Sequence, residues 1–236
     1  MGLRYAKGRG VPQDDEKAFD WYRRAAERNV PLAQFLVAEA HFHGRGVRQD
    51  DGEALHWFQQ AADQGFTRAQ LMLGTMYALG RGTGIDPDRA ATWYRKAAAW
   101  GEADAQYLLG RAYREGDGVE QDDGKAIEWF MKAARQGHID AQVMVGLAYQ
   151  KGRGVEQDYR KAVVFYGAAA EDGSAVGSLM LGLLYEAGAG VRQDPMVAFA
   201  LARLAALRSP ATPRIVEIRD RLQRRLEPDQ VREGER

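Results

Sequence analysis

Cysteine is absent from this chain of 236 residues, and its absence excludes several classes of protein. Without thiols the chain can form no disulfide framework, no thiolate zinc site and no cysteine nucleophile. Long hydrophobic runs are missing as well. No run approaches the ~20 residues of a membrane span, and residues 1–30 lack the apolar region of a signal peptide. We therefore expect a soluble chain without a membrane span, although a lack of cysteine does not fix the compartment.

An excess of charge of one sign is missing too, because 33 Lys and Arg residues balance 33 Asp and Glu residues. Proteins that bind nucleic acid or anionic membranes usually show a basic excess or a basic stripe. The balanced composition therefore disfavours nucleic acid as a partner.

Gly-x-Gly, by contrast, is abundant and regularly spaced, with six copies that each begin 36 residues after the last. The copies begin at Gly8, Gly44, Gly80, Gly116, Gly152 and Gly188. A fixed period of about 20–50 residues is typical of stacked supersecondary units, none of which can bury its apolar face alone. The spacing therefore predicts a repeat array.

Each unit has the pattern of two helices. In one unit, Ala69, Leu73 and Tyr77 share one face of a first helix, called helix A. After the Gly-x-Gly turn, Asp86 and Pro87 are typical of the start of a second helix, called helix B. The carboxylate caps free backbone N–H groups there, and Pro needs no such partner.

The same signals recur in the other units. The capping residues are Asp14, Asp50, Asp86, Asp122, Asp158 and Asp194. The residues expected to end helix B in a left-handed conformation are Asn29, Gly65, Gly101, Gly137 and Gly173. Aromatic pairs that we expect in the core of helix B are Trp21-Tyr22, Trp57-Phe58, Trp93-Tyr94, Trp129-Phe130 and Phe165-Tyr166. No stretch shows the period-2 pattern of a strand, so the sequence predicts an all-α fold.

The motifs LGxxY, GxGV, a Gln-Asp cap and KAxxWYxKAA together resemble the Sel-one-like repeat family, which is related to the tetratricopeptide repeats. The resemblance covers residues 1–207. It implies a right-handed α-solenoid, a superhelix of helix pairs whose concave surface is lined by helices A. Departures from the motif are local, with Ala38 in place of Gly, His41 in place of Tyr and Thr83 in place of Val.

We expect three segments along the chain. Residues 1–207 form the repeat array of about six helix pairs, with the first pair truncated. Residues 208–228 form a C-terminal capping helix, and residues 229–236 a flexible tail. Ile215 and Leu222 belong to the amphipathic stripe of the capping helix.

The first residues have an unusual alignment, because Met1–Gly8 corresponds to Val37–Gly44 in the middle of a helix A. We therefore expect further residues upstream, among which an export signal could lie. The chain would be cytoplasmic as given, and periplasmic if such a signal has been removed.

Helix A carries a near-constant set of positions that holds neighbouring repeats together, and a varied set on another face. In the tetratricopeptide relatives the corresponding varied columns line a peptide-binding groove, so the resemblance and the helix geometry indicate the same surface. The residues expected to contact a partner are Phe35, Glu39, Phe42, His43, Leu71, Thr75, Leu79, Tyr107, Arg111, Arg114, Glu115, Leu147, Gln150, Lys151, Leu183 and Glu186.

Two features stand out among the candidate contacts. Tyr107, Arg111 and Arg114 lie in the middle repeat, where the guanidinium forks are suited to carboxylates and form a candidate hot spot. Trp100 falls in a column of polar residues, so we expect an exposed indole near the end of a helix B. It is either an ordinary surface residue or an anchor for a partner.

Groups that could carry chemistry have simpler interpretations. The glycines from Gly80 to Gly84 approach a dinucleotide fingerprint, but that motif needs a preceding strand and here a helix precedes it. His41 and His43 are two residues apart, unlike the i, i+4 pair of a metal site. His56 and His138 lie in columns without a common residue type, and we expect them to be solvated. No serine or carboxylate constellation stands out, so we predict no cofactor, no metal and no enzyme.

We therefore predict a non-catalytic scaffold or adaptor, monomeric or weakly oligomeric, that binds a protein or peptide in the concave groove. Two alternatives stay open. Many family members belong to the bacterial envelope or secretion machinery, which makes a regulatory or immunity protein that neutralises a partner conceivable. Cysteine-rich relatives linked to penicillin binding and hydrolysis imply a β-lactam-binding hydrolase-like enzyme, which the lack of cysteine disfavours.

Overall fold

The computed structural model describes residues 1–226, and its regular elements are all α-helices, with no strand in that range. The helices are α1 (Gly2–Lys7), α2 (Asp15–Ala26), α3 (Pro31–His43), α4 (Asp51–Asp63), α5 (Thr67–Leu79), α6 (Pro87–Ala99), α7 (Ala103–Glu115), α8 (Asp123–Ala134), α9 (Ile139–Lys151), α10 (Tyr159–Glu171), α11 (Ala175–Ala187), α12 (Pro195–Arg208) and α13 (Pro213–Gln223). Odd-numbered helices from α1 to α11 are helices A, and even-numbered helices are helices B. The predicted all-α solenoid of helix pairs is confirmed.

The chain forms two compact units, Met1–Gln121 and Asp122–Arg236. The first unit contains α1 to α7, and the second contains α8 to α13. Within each unit every helix packs against the next one in the chain. The apolar residues are therefore buried between successive helices, as expected of a repeat array.

Helix B begins at an Asp N-cap in all six repeats, as predicted. The Asp50 Oδ1 atom, for example, accepts the backbone N–H groups of Gly52 and Glu53 at 2.9 and 3.0 Å. Each such cap contributes about 1 kcal/mol to helix stability. The left-handed residues that end helix B are also confirmed, with φ of 62° at Asn29 and positive φ at the corresponding glycines.

Helix A has caps that the sequence did not reveal. The Nδ1 atom of His138 accepts the backbone N–H of Ala141 at 3.2 Å, and Ser174 Oγ accepts that of Gly177 at 3.0 Å. The prediction that His138 is a solvated surface residue is therefore wrong, because its half-buried ring caps α9. The N-cap column of helix A holds unrelated residue types, so no pattern pointed to it.

From the second Gly-x-Gly turn onward, the second glycine of the turn lies against the preceding helix B. A Cβ atom on Gly46 would overlap the carbonyl oxygen of Asp15, and one on Gly82 would overlap that of Asp51. Both glycines also have φ near 70°, a conformation that side chains disfavour. The turn glycine thus serves two purposes: it allows the tight turn that we predicted, and it lets consecutive repeats approach closely.

A third glycine position packs helix A onto its own helix B. A Cβ atom on Gly74 would lie 2.7 Å from the ring of Tyr94, and one on Gly146 would lie 2.7 Å from the ring of Tyr166. The second aromatic of each pair is the better buried one, whereas Trp21 at the start of the chain is exposed. The motif glycine of helix A therefore makes room for the helix B aromatic.

After the last repeat, α13 packs against α12 through Ile215 and Leu222, which join a cluster with Phe199 and Ala202. The helix ends at Gln223, and residues 229–236 of the expected tail lie outside the described residues. That α13 serves as a cap of the array stays a prediction.

Candidate functional site

The varied side of helices A, called the A-helix face, carries the predicted contact residues. In the first unit they lie on α3, α5 and α7, and in the second on α9 and α11. Most are half-buried or exposed, so a partner can reach them.

Phe35 is not available to a partner. Its side chain is only 2% exposed, and its ring contacts those of Phe58 and Phe66 with centroid distances of 5.6 and 5.1 Å. The prediction of a groove contact at this residue is wrong. Val143 and Leu179 in the same column are buried as well, whereas Leu71 and Tyr107 in that column are half-buried.

Phe42, the next predicted contact on this face, is covered by an arginine from the following repeat. The Arg81 guanidinium carbon lies 3.7 Å from the centroid of the Phe42 ring. The same guanidinium donates to Asp51, with Nε–Oδ2 and Nη2–Oδ1 distances of 2.9 and 2.6 Å. Its hydrogen bonds hold the pKa of Asp51 below the ordinary value. Phe42, Asp51 and Arg81 thus fill the space between α3, α4 and the turn after α5.

Sequence reasoning missed Arg81, because it is the middle residue of Gly80-Arg81-Gly82 and was interpreted as part of a turn. The same position holds Arg in three other copies, at Arg9, Arg45 and Arg153, and Asp117 or Ala189 in the rest. That variation within a turn of constant glycines was the available signal.

Arg111 and Arg114 on α7 share one carboxylate, that of Glu115. The Nη2 atoms of Arg111 and Arg114 lie 3.3 and 2.5 Å from Glu115 Oε2 and Oε1. Burial raises the pKa of Glu115, but the hydrogen bonds from both guanidinium groups outweigh it, and the pKa lies below its ordinary value. A carboxylate on a partner would therefore compete with Glu115, which qualifies the predicted hot spot.

A pocket of about 270 Å³ opens beside Arg111, between α5, α6 and α7. We call it the Ile85 pocket, after the isoleucine on its rim, whose side chain is 71% exposed. Alanines and the buried ring of Tyr94 form its apolar floor, and its charged lining residues are Arg111, Glu115 and Asp117. The hydroxyl of Thr75 on α5 donates to the backbone carbonyl of Leu71 at 3.0 Å.

On the A-helix face of the second unit, Gln150 and Glu186 form hydrogen bonds with other residues of the chain. Gln150 Oε1 accepts the hydroxyl of Tyr166 at 2.7 Å. Glu186 is engaged by Arg221 of α13 and by Arg225 just after that helix, which donate to its two carboxylate oxygens at 2.5 and 2.7 Å. Leu147 and Leu183 are half-buried, and Lys151 is exposed. Of the residues predicted in this unit, Glu186 is thus held within the chain.

Outside the A-helix face, Trp100 is 76% exposed at the C-cap of α6, as we expected from its column. Its role as an anchor stays a prediction. Leu79 and His43, at the C-terminal ends of their helices, are also exposed.

In residues 1–226 no group of three or more His, Asp or Glu side chains is placed to hold a metal ion. The half-buried His41 lies edge-on to Phe19 with ring centroids 5.4 Å apart, and His56 Nε2 lies 3.0 Å from Gln60 Nε2. Within the same residues, no helix combines the length and the apolar character that crossing a bilayer requires.

Comparison with known proteins shows which family and which solved structures have a similar arrangement of repeats. The model of the Sel1 repeat matches residues 1–30, 31–66, 67–99, 103–138, 139–174 and 175–209. No curated protein gives a significant match.

Among solved structures, a protective antigen of uropathogenic Escherichia coli strains that displays an SLR fold is 36% identical, with a TM-score of 0.85 over 87% of this chain. A Sel1 repeat protein from Oxalobacter formigenes is 34% identical, with a TM-score of 0.80 over 94% of this chain. The chain spans 44% and 63% of the lengths of these two proteins. An immunity protein from Pseudomonas aeruginosa shares the fold at 22% identity, with a TM-score of 0.50 over 90% of this chain and 81% of its own.

Proposed function

The chain belongs to the Sel1 repeat family, and from that premise we propose that it binds a polypeptide partner through its A-helix face. Proteins of this family are interaction scaffolds and in general are not catalytic. For this chain, the residues on that face, the nature of the partner and the lack of catalysis are parts of the proposal.

One observation carries the proposal. The residues that hold the repeats together are buried, as Ala69, Leu73 and Leu109 are, while the neighbouring varied positions such as Leu71 and Arg111 remain half-exposed. A rigid framework therefore presents side chains that the fold does not require. Such an arrangement suits recognition, because binding immobilises few additional groups.

The carboxylates of the helix caps and of Glu115 are already engaged within the chain, and this supports a non-catalytic role. The Asp residues that begin helix B have carboxylates engaged with backbone N–H groups, and Glu115 is paired with two arginines. Carboxylates engaged in this way are poor general acids or bases, since their oxygen atoms already accept hydrogen bonds from groups of this chain.

Selection from a library of random displayed peptides on the immobilised full chain tests the proposal. We expect enriched peptides whose binding weakens about tenfold or more in a Tyr107→Ala/Arg111→Ala/Arg114→Ala variant, as for loss of several interface contacts. The matched control is Arg28→Ala/Arg95→Ala, which removes two exposed arginines from helices B or their ends. Circular dichroism verifies that both variants fold. Equal loss in both variants, or no enrichment at all, would contradict the proposal.

As an alternative we propose a narrower role as an immunity protein, because solved immunity proteins of Pseudomonas aeruginosa share the fold. Identities of 22% and 21% support the fold alone. Co-expression with the products of adjacent genes tests this role, with protection from a toxic product as the expected result. An absence of protection, while peptide binding persists, would favour the general scaffold.

A further inference from the structure

The Ile85 pocket has an equivalent one repeat earlier in the same unit, and there the chain fills the space itself. In that repeat Phe42 occupies the space, Arg81 stacks on its ring, and Asp51 holds the guanidinium. Adding 36 to each number gives the residues at the same positions of the Ile85 pocket: Ala78, Asp117 and Pro87. The pocket thus lacks the ring that fills the equivalent space, and it also lacks the covering cation and the acid that holds that cation.

Its rim differs from the other repeats as well. Where the Ile85 pocket has Ile85, the other five repeats have glutamine, at Gln13, Gln49, Gln121, Gln157 and Gln193. Three of these donate to a carbonyl oxygen near the end of helix A: Gln121 to Arg114 at 3.0 Å, Gln157 to Gln150 at 2.8 Å and Gln193 to Glu186 at 2.9 Å. Ile85 cannot form that bond, and its exposed side chain extends the apolar surface of the pocket to its edge.

Size and charge indicate the occupant. A volume of about 270 Å³ is below the range of about 300–1,000 Å³ usual for drug-sized ligands, and it suits a single large side chain. Arg111 is paired with Glu115, so the pocket presents no unengaged cation to cover an incoming ring. Instead it offers a carboxylate, that of the exposed Asp117, at the position of Arg81.

We propose that the Ile85 pocket receives an aromatic side chain of a partner peptide that carries a basic residue next to it. The aromatic ring takes the place of Phe42, and the partner's cation lies over it and pairs with Asp117. The partner thus supplies the two groups that the preceding repeat supplies from its own chain. Aromatic burial and the cation–π contact are both favourable in a desolvated site. The inference rests on the proposed function, because it names the chemistry of a peptide bound to the A-helix face.

A second open pocket, of about 390 Å³, lies beside α1 and has Ala6 at the position of Phe42. It retains Asp15 and Arg45 at the positions of Asp51 and Arg81. A ring that entered it would find a cation of this chain nearby. The need for a basic residue in the partner is therefore specific to the Ile85 pocket.

The test uses the peptides selected on the full chain and measures their affinity by fluorescence polarisation. We expect a consensus with Phe, Tyr or Trp beside Lys or Arg. Ala78→Phe/Asp117→Arg, which introduces the ring and the cation of the preceding repeat, should weaken binding about 30-fold, the loss typical of a hot-spot contact. Ala6→Phe, the same change at the same position of the other pocket, should leave the affinity unchanged.

Peptide variants make the test independent of protein folding. Changing the aromatic residue of a selected peptide to Ala, or its basic residue to Glu, should each weaken binding to the wild-type chain. Asp117→Lys should restore binding of the Glu peptide. An acidic or aliphatic consensus, or equal affinity for all three peptides, would overturn the inference while leaving polypeptide binding intact. A library that yields no binder would remove the proposed function and the inference together.

Discussion

Two consecutive repeats of the first unit have the same arrangement of helices and turns, but they differ in whether the space between the helices is filled. The repeat of α3 and α4 fills its inter-helix space with Phe42 under Arg81, whereas the repeat of α5 and α6 leaves the equivalent space open between Ala78 and Asp117. The glycine junctions are the same in both. The difference shows that framework and surface are separable, so that a few substitutions outside the framework distinguish a filled space from an open pocket.

The largest effect should come from breaking the framework that both repeats share. We expect Gly82→Ala to lower the free energy of unfolding by about 3 kcal/mol or more, because the residue needs positive φ and its Cβ would overlap a backbone carbonyl. Gly84→Ala in the same turn is the control, since no heavy atom lies within 4 Å of its Cβ position. Urea unfolding followed by circular dichroism measures both. Similar losses in the two variants would show that the junction is not the cause.

A smaller effect should follow from filling the space under an aromatic ring. Gly74→Ala places a methyl group 2.7 Å from Tyr94, so we expect a loss of about 1–3 kcal/mol although Ala is the better helix former. Gly167→Ala, in a helix with nothing within 4 Å of the added methyl group, should instead gain about 1 kcal/mol. The preceding repeat already carries Ala38 at this position. The loss of stability is therefore expected for the repeat that contains Gly74 and Tyr94. Opposite signs in thermal unfolding are expected, and a gain in both would contradict the packing argument.

The ion pair of Arg81 and Asp51, which the open repeat lacks, should contribute less to stability than either glycine position. The Arg81 and Asp51 side chains are 29% and 30% exposed, so a double-mutant cycle should give a coupling of about 0.5–1 kcal/mol. Asp117→Ala, at the position of Arg81 in the open repeat, should leave stability almost unchanged. A coupling of zero would mean that Phe42 alone fills the space.

The smallest effect should be a dependence of this coupling on pH. Hydrogen bonds from Arg81 hold the pKa of Asp51 below its ordinary value near 3.8. A carboxylate with a lowered folded-state pKa stabilises the protein above the unfolded-state pKa, and that contribution disappears as the pH falls through the folded-state pKa. The stability difference between wild type and Arg81→Ala should therefore be constant near neutral pH and shrink below about pH 4. Unfolding at a series of pH values measures it, and a difference that grows in acid would contradict the assignment.

Much of the fold was predictable, because its signals act over a few residues. Asp50 caps a helix two or three residues away, and Asn29 ends a helix within one turn. Each such signal occurs several times at the same spacing, so the repetition itself strengthens the prediction. The cap at His138 was missed because its column holds no common residue type.

The candidate site was predicted less well. Helix geometry placed Phe42 and Arg111 at accessible positions, and both are half-buried, but it also placed Phe35 on the surface although that ring is buried. Arg111 and Arg114 were selected because a guanidinium group suits a carboxylate of a partner, and their pairing with Glu115 of this chain was not foreseen. Ile85 and Asp117 were not selected at all, because both lie in turns rather than on helix A.

The sequence by itself determined the repeat period, the order of the helices and the residues that begin and end them, since these depend on neighbours within one turn of chain. The tertiary structure decided which surface is open. Arg81 meets Asp51 across 30 residues and Phe42 across 39, so a side chain in one repeat is covered or exposed according to residues in the next. Packing between repeats, and not the pattern within a repeat, therefore decides which side chains remain exposed.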